Sequence, residues 1–136
     1  MRLRSTRDEG GAATVFVVGF AIMLLACAGL VIDGGNAINA RMKLADDVEQ
    51  AARAGAGAID VDYLRSTEVL KLDQGEARSR ALIYMGDLGY SRADASVTDD
   101  TVTVGARDTV STTLLQLVGI STFDISASAT AEAVTQ

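Results

Sequence analysis

The sequence predicts an α+β fold. A long N-terminal transmembrane helix continues into an Ala-rich external helix, and a small head follows in which a three- or four-stranded sheet is packed by one or two helices. Three observations point there. Residues 10–32 form an uncharged apolar run, residues 36–58 repeat apolar positions at helical spacing, and residues 123–133 alternate apolar and polar side chains at strand spacing.

The apolar run, GGAATVFVVGFAIMLLACAGLVI, counts 23 residues from Gly10 to Ile32. As a helix it measures about 34 Å, enough for the roughly 30 Å hydrocarbon core of a bilayer. Gly10, Phe16, Phe20, Leu24, Leu25, Leu30 and Ile32 are its expected membrane-span residues. A buried core helix of a water-soluble protein would need an apolar shell on every side, and the rest of the chain has too few large apolar residues to supply one. Arg2, Arg4 and Arg7 precede the run, whereas Asp33 follows it and the next basic residues are Arg41 and Lys43. Basic flanks tend to stay cytoplasmic. The expected organisation is therefore a cytoplasmic tail over 1–9, a span over 10–32, an external extension of the helix over 33–59, and an external head over 60–136.

Asp33, Gly34 and Gly35 interrupt the apolar pattern, and each glycine costs a helix interior about 1 kcal/mol. They are read as a hinge at the membrane surface. Beyond it Ile38, Met42, Ala45, Val48 and Ala52 recur at three- and four-residue steps, which makes one apolar stripe. Ala56 extends it, and these six residues are the expected helix-packing face. The surrounding alanines and glycines leave little bulk, so a second helix can approach closely.

In the head, residues 60–73 show no clear period and are expected to be a loop with a short strand at Glu68–Leu72. Gln74 to Leu88 reads as a helix with Ala77, Ala81, Leu82, Tyr84, Met85 and Leu88 on one side, ended by Gly89. Residues 95–97 and 101–104 alternate around Asp99-Asp100, a hairpin signal. Ser111 is placed to cap a short helix through Val118, closed by Gly119. The segment between Thr109 and Ser121 is long enough for a crossover between parallel strands. Phe123, Ile125, Ala127, Ala129, Ala131 and Ala133 then alternate with polar residues as the clearest strand.

Composition narrows the functional classes. The 136 residues contain no histidine, tryptophan or proline and carry a net charge of −6. An acidic exterior without a basic patch argues against nucleic acid. The carboxylate pairs Asp46-Asp47, Asp60/Asp62 and Asp99-Asp100 lack the spacing of a calcium loop. No motif places a base beside a serine or threonine, and no glycine-rich segment matches a phosphate loop. No enzyme activity, cofactor, metal or small-molecule substrate is expected. The single cysteine, Cys27, packs as a small apolar residue within the run. Leu24-Leu25-Ala26-Cys27 also has the look of a lipobox, and Ala26-Cys27-Ala28 offers small residues as a signal peptidase site would. Against cleavage, apolar residues continue to Ile32, past the length of a usual signal segment.

Taken in order, Gly10-Gly11-Ala12-Ala13, Leu30-Val31-Ile32-Asp33-Gly34-Gly35 and the Ala-rich helix from Leu44 to Ala56 resemble the N-terminal region of TadE/TadG-like pilus-assembly proteins. The resemblance implies a pilin-like, single-pass envelope protein of a bacterial Tad (Flp-type) pilus, as a minor pilin or an assembly factor. The implied partners are the membrane and other pilus or secretion-apparatus proteins, reached by helix packing, with a homo-oligomer as a further option. A prepilin-peptidase site would need a glutamate five residues after its glycine, where this chain has Val15 and Phe16; that departure favours an uncleaved, TadG-like anchor in the cell membrane. Two alternatives stand beside it. One is a secreted or lipid-anchored adhesion domain cleaved near Cys27, and the other a subunit of a type II or IV secretion pseudopilus.

Overall fold

In the computed structural model, residues 7–134 are described; Arg2 and Arg4 of the basic tail lie outside them. The order of elements is helix α1 (Arg7–Ala56), α2 (Val61–Thr67), α3 (Gln74–Asp87), strands β1 (Ala93–Val97) and β2 (Thr101–Ser111), a 3-10 turn (Leu115–Val118) and strand β3 (Thr122–Glu132). The fold is α+β, with a long apolar N-terminal helix and a three-stranded antiparallel sheet in the order β1-β2-β3. The chain divides into two compact units. One joins α1 through Asn36 to residues 111–122, and the other holds residues 37–110 with the chain from Phe123 onward.

The second unit is the head. Its core takes Leu44, Val48, Ala51 and Ala52 from α1, Ala77, Ala81 and Met85 from α3, and Ala95, Val102, Val104, Ala106 and Ile125 from the sheet, all buried. Alanine at so many of these positions brings backbones close together. Gly55 is the tightest point: a Cβ there would lie 2.8 Å from the Ala77 carbonyl oxygen and 3.0 Å from Val102 Cγ1. Glycine is thus required by the approach of α3 and β2 to α1.

Local signals set the helix ends. Asp73 Oδ1 accepts the Glu76 N–H at 2.9 Å at the start of α3, an N-cap that satisfies one of the unpaired first-turn donors. Gly89 stops the helix in the left-handed region at φ 89°. The same capping chemistry opens α2, where Asp60 Oδ1 accepts from the Tyr63 N–H at 2.9 Å. Residues 60–73 are therefore not the expected loop. Val61–Thr67 is helical, closed by Glu68 at φ 58°, and at seven residues it is too short to display a period. The strand expected at Glu68–Leu72 is reduced to a single bridge between Ile59 and Leu72.

The hairpin is present and longer than its signal. Ala95 pairs with Val104 and Ala93 with Ala106 in antiparallel register, and alternate residues from Val102 to Ala106 are buried. The parallel crossover is not formed. The Thr103 and Thr130 hydroxyls meet at 2.8 Å, and Thr109 Oγ1 lies 3.2 Å from Asp124 Oδ1, so β3 runs back alongside β2. A four-residue 3-10 turn is too short for a crossover but ample for a wide hairpin. On β3 itself the expected alternation holds, with Phe123, Ile125, Ala127, Ala129 and Ala131 turned inward and their neighbours exposed.

Candidate functional site

Unlike a core helix, α1 leaves its apolar run uncovered. Phe16 is 73% and Val31 76% exposed, and Phe20, Leu24, Leu25, Leu30 and Ile32 are exposed with them. Phe16 and Phe20 stack with parallel rings 6.3 Å apart. Cys27 is a free, exposed thiol on the same surface. Of Gly10 only the helical backbone is described. A contiguous apolar surface of this length on one helix has the extent and composition to cross a membrane.

The run ends at a buried carboxylate. Asp33 is only 2% exposed, and its two oxygens accept three backbone N–H groups: Thr113 at 2.9 Å on Oδ1, Leu114 at 2.9 Å and Leu115 at 2.7 Å on Oδ2. These are the unpaired donors at the start of the 3-10 turn. Burial alone would raise the Asp33 pKa, yet the three backbone donors outweigh it and hold the carboxyl below its ordinary value. Gly29, one helical turn earlier, completes the seat, because its missing Cβ leaves room for Leu115 Cδ2 at 3.0 Å and Leu114 Cβ at 3.2 Å.

Ser111 does not cap this turn, contrary to expectation; it is the last residue of β2. The residue preceding the turn, Leu114, offers no side-chain cap, and the acceptor comes instead from Asp33, about 80 residues earlier in the chain. The sequence held a signal for this. A carboxylate adjoining an apolar run must find donors if it is to be buried.

Gly34 and Gly35 are helical and half-buried, and the positions their side chains would occupy are open. The six residues of the expected packing face divide between two surfaces. Val48, Ala52 and Ala56 are buried in the head, whereas Ile38, Met42 and Ala45 are exposed, Met42 by 62%. The face the head uses is offset, running through Ala40, Leu44, Val48, Ala51 and Gly55.

One polar cluster on the head was not anticipated. The Tyr90 hydroxyl donates to Asp47 Oδ2 at 2.7 Å, and Lys43 Nζ donates to the same oxygen at 2.7 Å. Burial and the Asp47 hydrogen bond push the Tyr90 pKa up. Burial also opposes ionisation of Asp47, but Lys43 and Tyr90 bring its pKa below the ordinary value, and the Asp47 partnership raises that of Lys43. The cluster ties the start of the sheet to α1. Among the described residues, no three metal-binding side chains converge.

Helix α1, apolar up to Asp33 and rich in small residues beyond it, is also the part of the chain that resembles a known family. Residues 10–58 match the family described as Putative Flp pilus-assembly TadE/G-like. The N-terminal region of the chain is thus similar to that family, over a little more than a third of the 136 residues. It spans the apolar run, the Asp33 seat and the part of α1 that walls the head core. Together with the exposed apolar run, the match fits a membrane-anchored protein associated with a Flp/Tad-type pilus. No curated protein and no solved structure matches the chain.

Proposed function

We propose that this is a single-pass membrane protein that serves a Tad/Flp-type pilus as a minor pilin or assembly factor, its N-terminus cytoplasmic and its head external. The observation that carries the reading is the exposed apolar surface of α1 lying within the TadE/G-like segment. Three arginines before the run and none directly after it support the orientation. The exposed residues Ile38, Met42 and Ala45 extend the helix surface beyond the span and are the residues we assign to packing against helices of other pilus-apparatus proteins. Val48, Ala52 and Ala56 serve the head's own core instead. Gly34 and Gly35 supply a bend point beside the seat of Asp33, since a helix with two successive glycines resists bending least there.

The test is the intact mass of the native protein, recovered separately from membranes and from filaments sheared off the cell surface. Full-length mass confined to membranes is the expected result. A shortened species in the sheared fraction would replace the anchored factor with a processed filament subunit, and a mature chain starting near Cys27 would favour a released or lipid-anchored adhesion domain.

A further inference from the structure

The loop between β2 and β3 has the chemistry of a surface that enters lipid. No charge occurs between Asp108 and Asp124, and Leu117, Val118 and Ile120 project from the loop as exposed side chains, Leu117 by 67%. What separates this loop from an ordinary apolar turn is the state of its polar groups. Lipid offers no hydrogen bonds, so backbone can enter it only when its N–H and C=O groups are satisfied from within the protein. Here Asp33 takes the N–H groups of Thr113, Leu114 and Leu115. The N–H groups of Leu117, Gly119 and Ile120 donate to Leu114, Gln116 and Leu115 carbonyls. Polar side chains turn back on the loop as well: Gln116 Nε2 donates to the Thr113 carbonyl at 2.9 Å, and the Thr112 hydroxyl donates to that of Ile120.

Position supplies the second half. The loop forms one compact unit with the apolar part of α1, and Leu115 sits on Gly29. Gly29 precedes Asp33 by four residues, about 6 Å of helix rise, so the loop is held beside the last turn of the apolar run. If that run crosses a bilayer, Leu115 lies at the depth where headgroups give way to acyl chains, and the exposed side chains beside it face the same layer.

We propose that residues 114–120 form a membrane-interface wedge, with Leu117, Val118 and Ile120 inserted into the outer edge of the bilayer that α1 spans. The proposal rests on the membrane-anchor reading. Its role is to fix the depth and rotation of the helix end at the surface through a second apolar contact fastened by Asp33.

The experiment places single cysteines in the full-length chain on a Cys27→Ala background, using Leu117→Cys, Phe20→Cys and Thr98→Cys. Each is labelled with an environment-sensitive fluorophore and reconstituted in phosphatidylcholine/phosphatidylglycerol vesicles containing nitroxide lipid. The expected result is blue-shifted emission at position 117 with loss of most intensity to a nitroxide near the headgroup, the same for position 20 with a deep nitroxide, and neither at position 98. Quenching at 20 without quenching at 117 overturns the wedge and leaves the span standing. Absence of quenching at both positions removes the anchor reading and the wedge with it. A blue shift at 117 that nitroxide lipid does not quench and that fades as protein is diluted in the vesicles assigns the patch to a protein partner, and also overturns the proposal. A Leu117→Asp, Ile120→Asp pair, both on exposed side chains, should abolish quenching of a label on Val118→Cys while leaving position 20 unchanged.

Discussion

Asp33 and Asp47 both sit on α1 and both have lowered pKa values, but their partners differ, and so do the consequences of removing them. Asp33 is held by three backbone donors, which have no substitute once the carboxylate is gone. Asp33→Ala should therefore release the loop, seen as strongly accelerated hydrogen exchange at the amides of Thr113, Leu114 and Leu115, with the head amides unaffected. The same amides should respond to acid. A folded pKa below the ordinary carboxylate value contributes stability that is present above about pH 4 and is lost as pH falls through the lowered value; exchange at these three positions should rise there before the head opens. Tyr90→Phe is milder. It removes one hydrogen bond to a carboxylate that Lys43 still holds, and a loss of about 1 kcal/mol is expected in chemical denaturation of the head. For Lys43, whose pKa is raised, the contribution is complete below its ordinary value and is lost as pH rises through the folded one.

At the level of elements, the governing feature is the close approach of α1 to α3 and β2. Gly55→Ala would force a Cβ to 2.8 Å from the Ala77 carbonyl, and overpacking of this kind costs about 1–3 kcal/mol. Gly57→Ala meets nothing nearer than 3.6 Å and should stay near neutral; thermal unfolding in detergent of the two variants checks the difference. The same contrast shows what was legible in the sequence. Long periodic elements declared themselves: the apolar run, Gln74–Leu88 and the alternating Phe123–Ala133 segment all occur as read, because each buries or exposes a whole face. Elements fixed by one local bond or one distant partner did not. Helix α2 depends on Asp60 as a cap over too few residues to show a period, and the turn before β3 depends on a carboxylate from the other end of the chain. Of the six expected packing residues, Val48, Ala52 and Ala56 lie in the head core, whereas Ile38, Met42 and Ala45 are exposed although they are as apolar as the Ala40 and Leu44 positions the head engages. Only tertiary contact separates the two faces.

Across the whole molecule, the C-terminal half of α1 and the final strand meet in one core. Leu44 and Val48 from α1 share it with Ile125 and Ala133, and Arg41 Nε donates to the Ser126 carbonyl at 3.4 Å. Removing residues 123–134 should thus unfold the head rather than trim it, with loss of protease resistance in α3 as the readout, while the apolar run remains in the membrane fraction. Contacts this far apart in sequence also form slowly, since a long loop must close before they are rewarded.

The shared core also sets an order of events at the membrane. A chain emerging from its N-terminus presents the Ala-rich end of α1 well before β3 exists, so the wall formed by Leu44, Val48, Ala51 and Ala52 is made ahead of the elements that cover it. Until α3 and the strands have been made, that wall is open to any helix that fits it. The small side chains that let α3 pack tightly in the finished head make α1 vulnerable to wrong neighbours during its own synthesis, and the last strand to arrive is the one that completes the closed core.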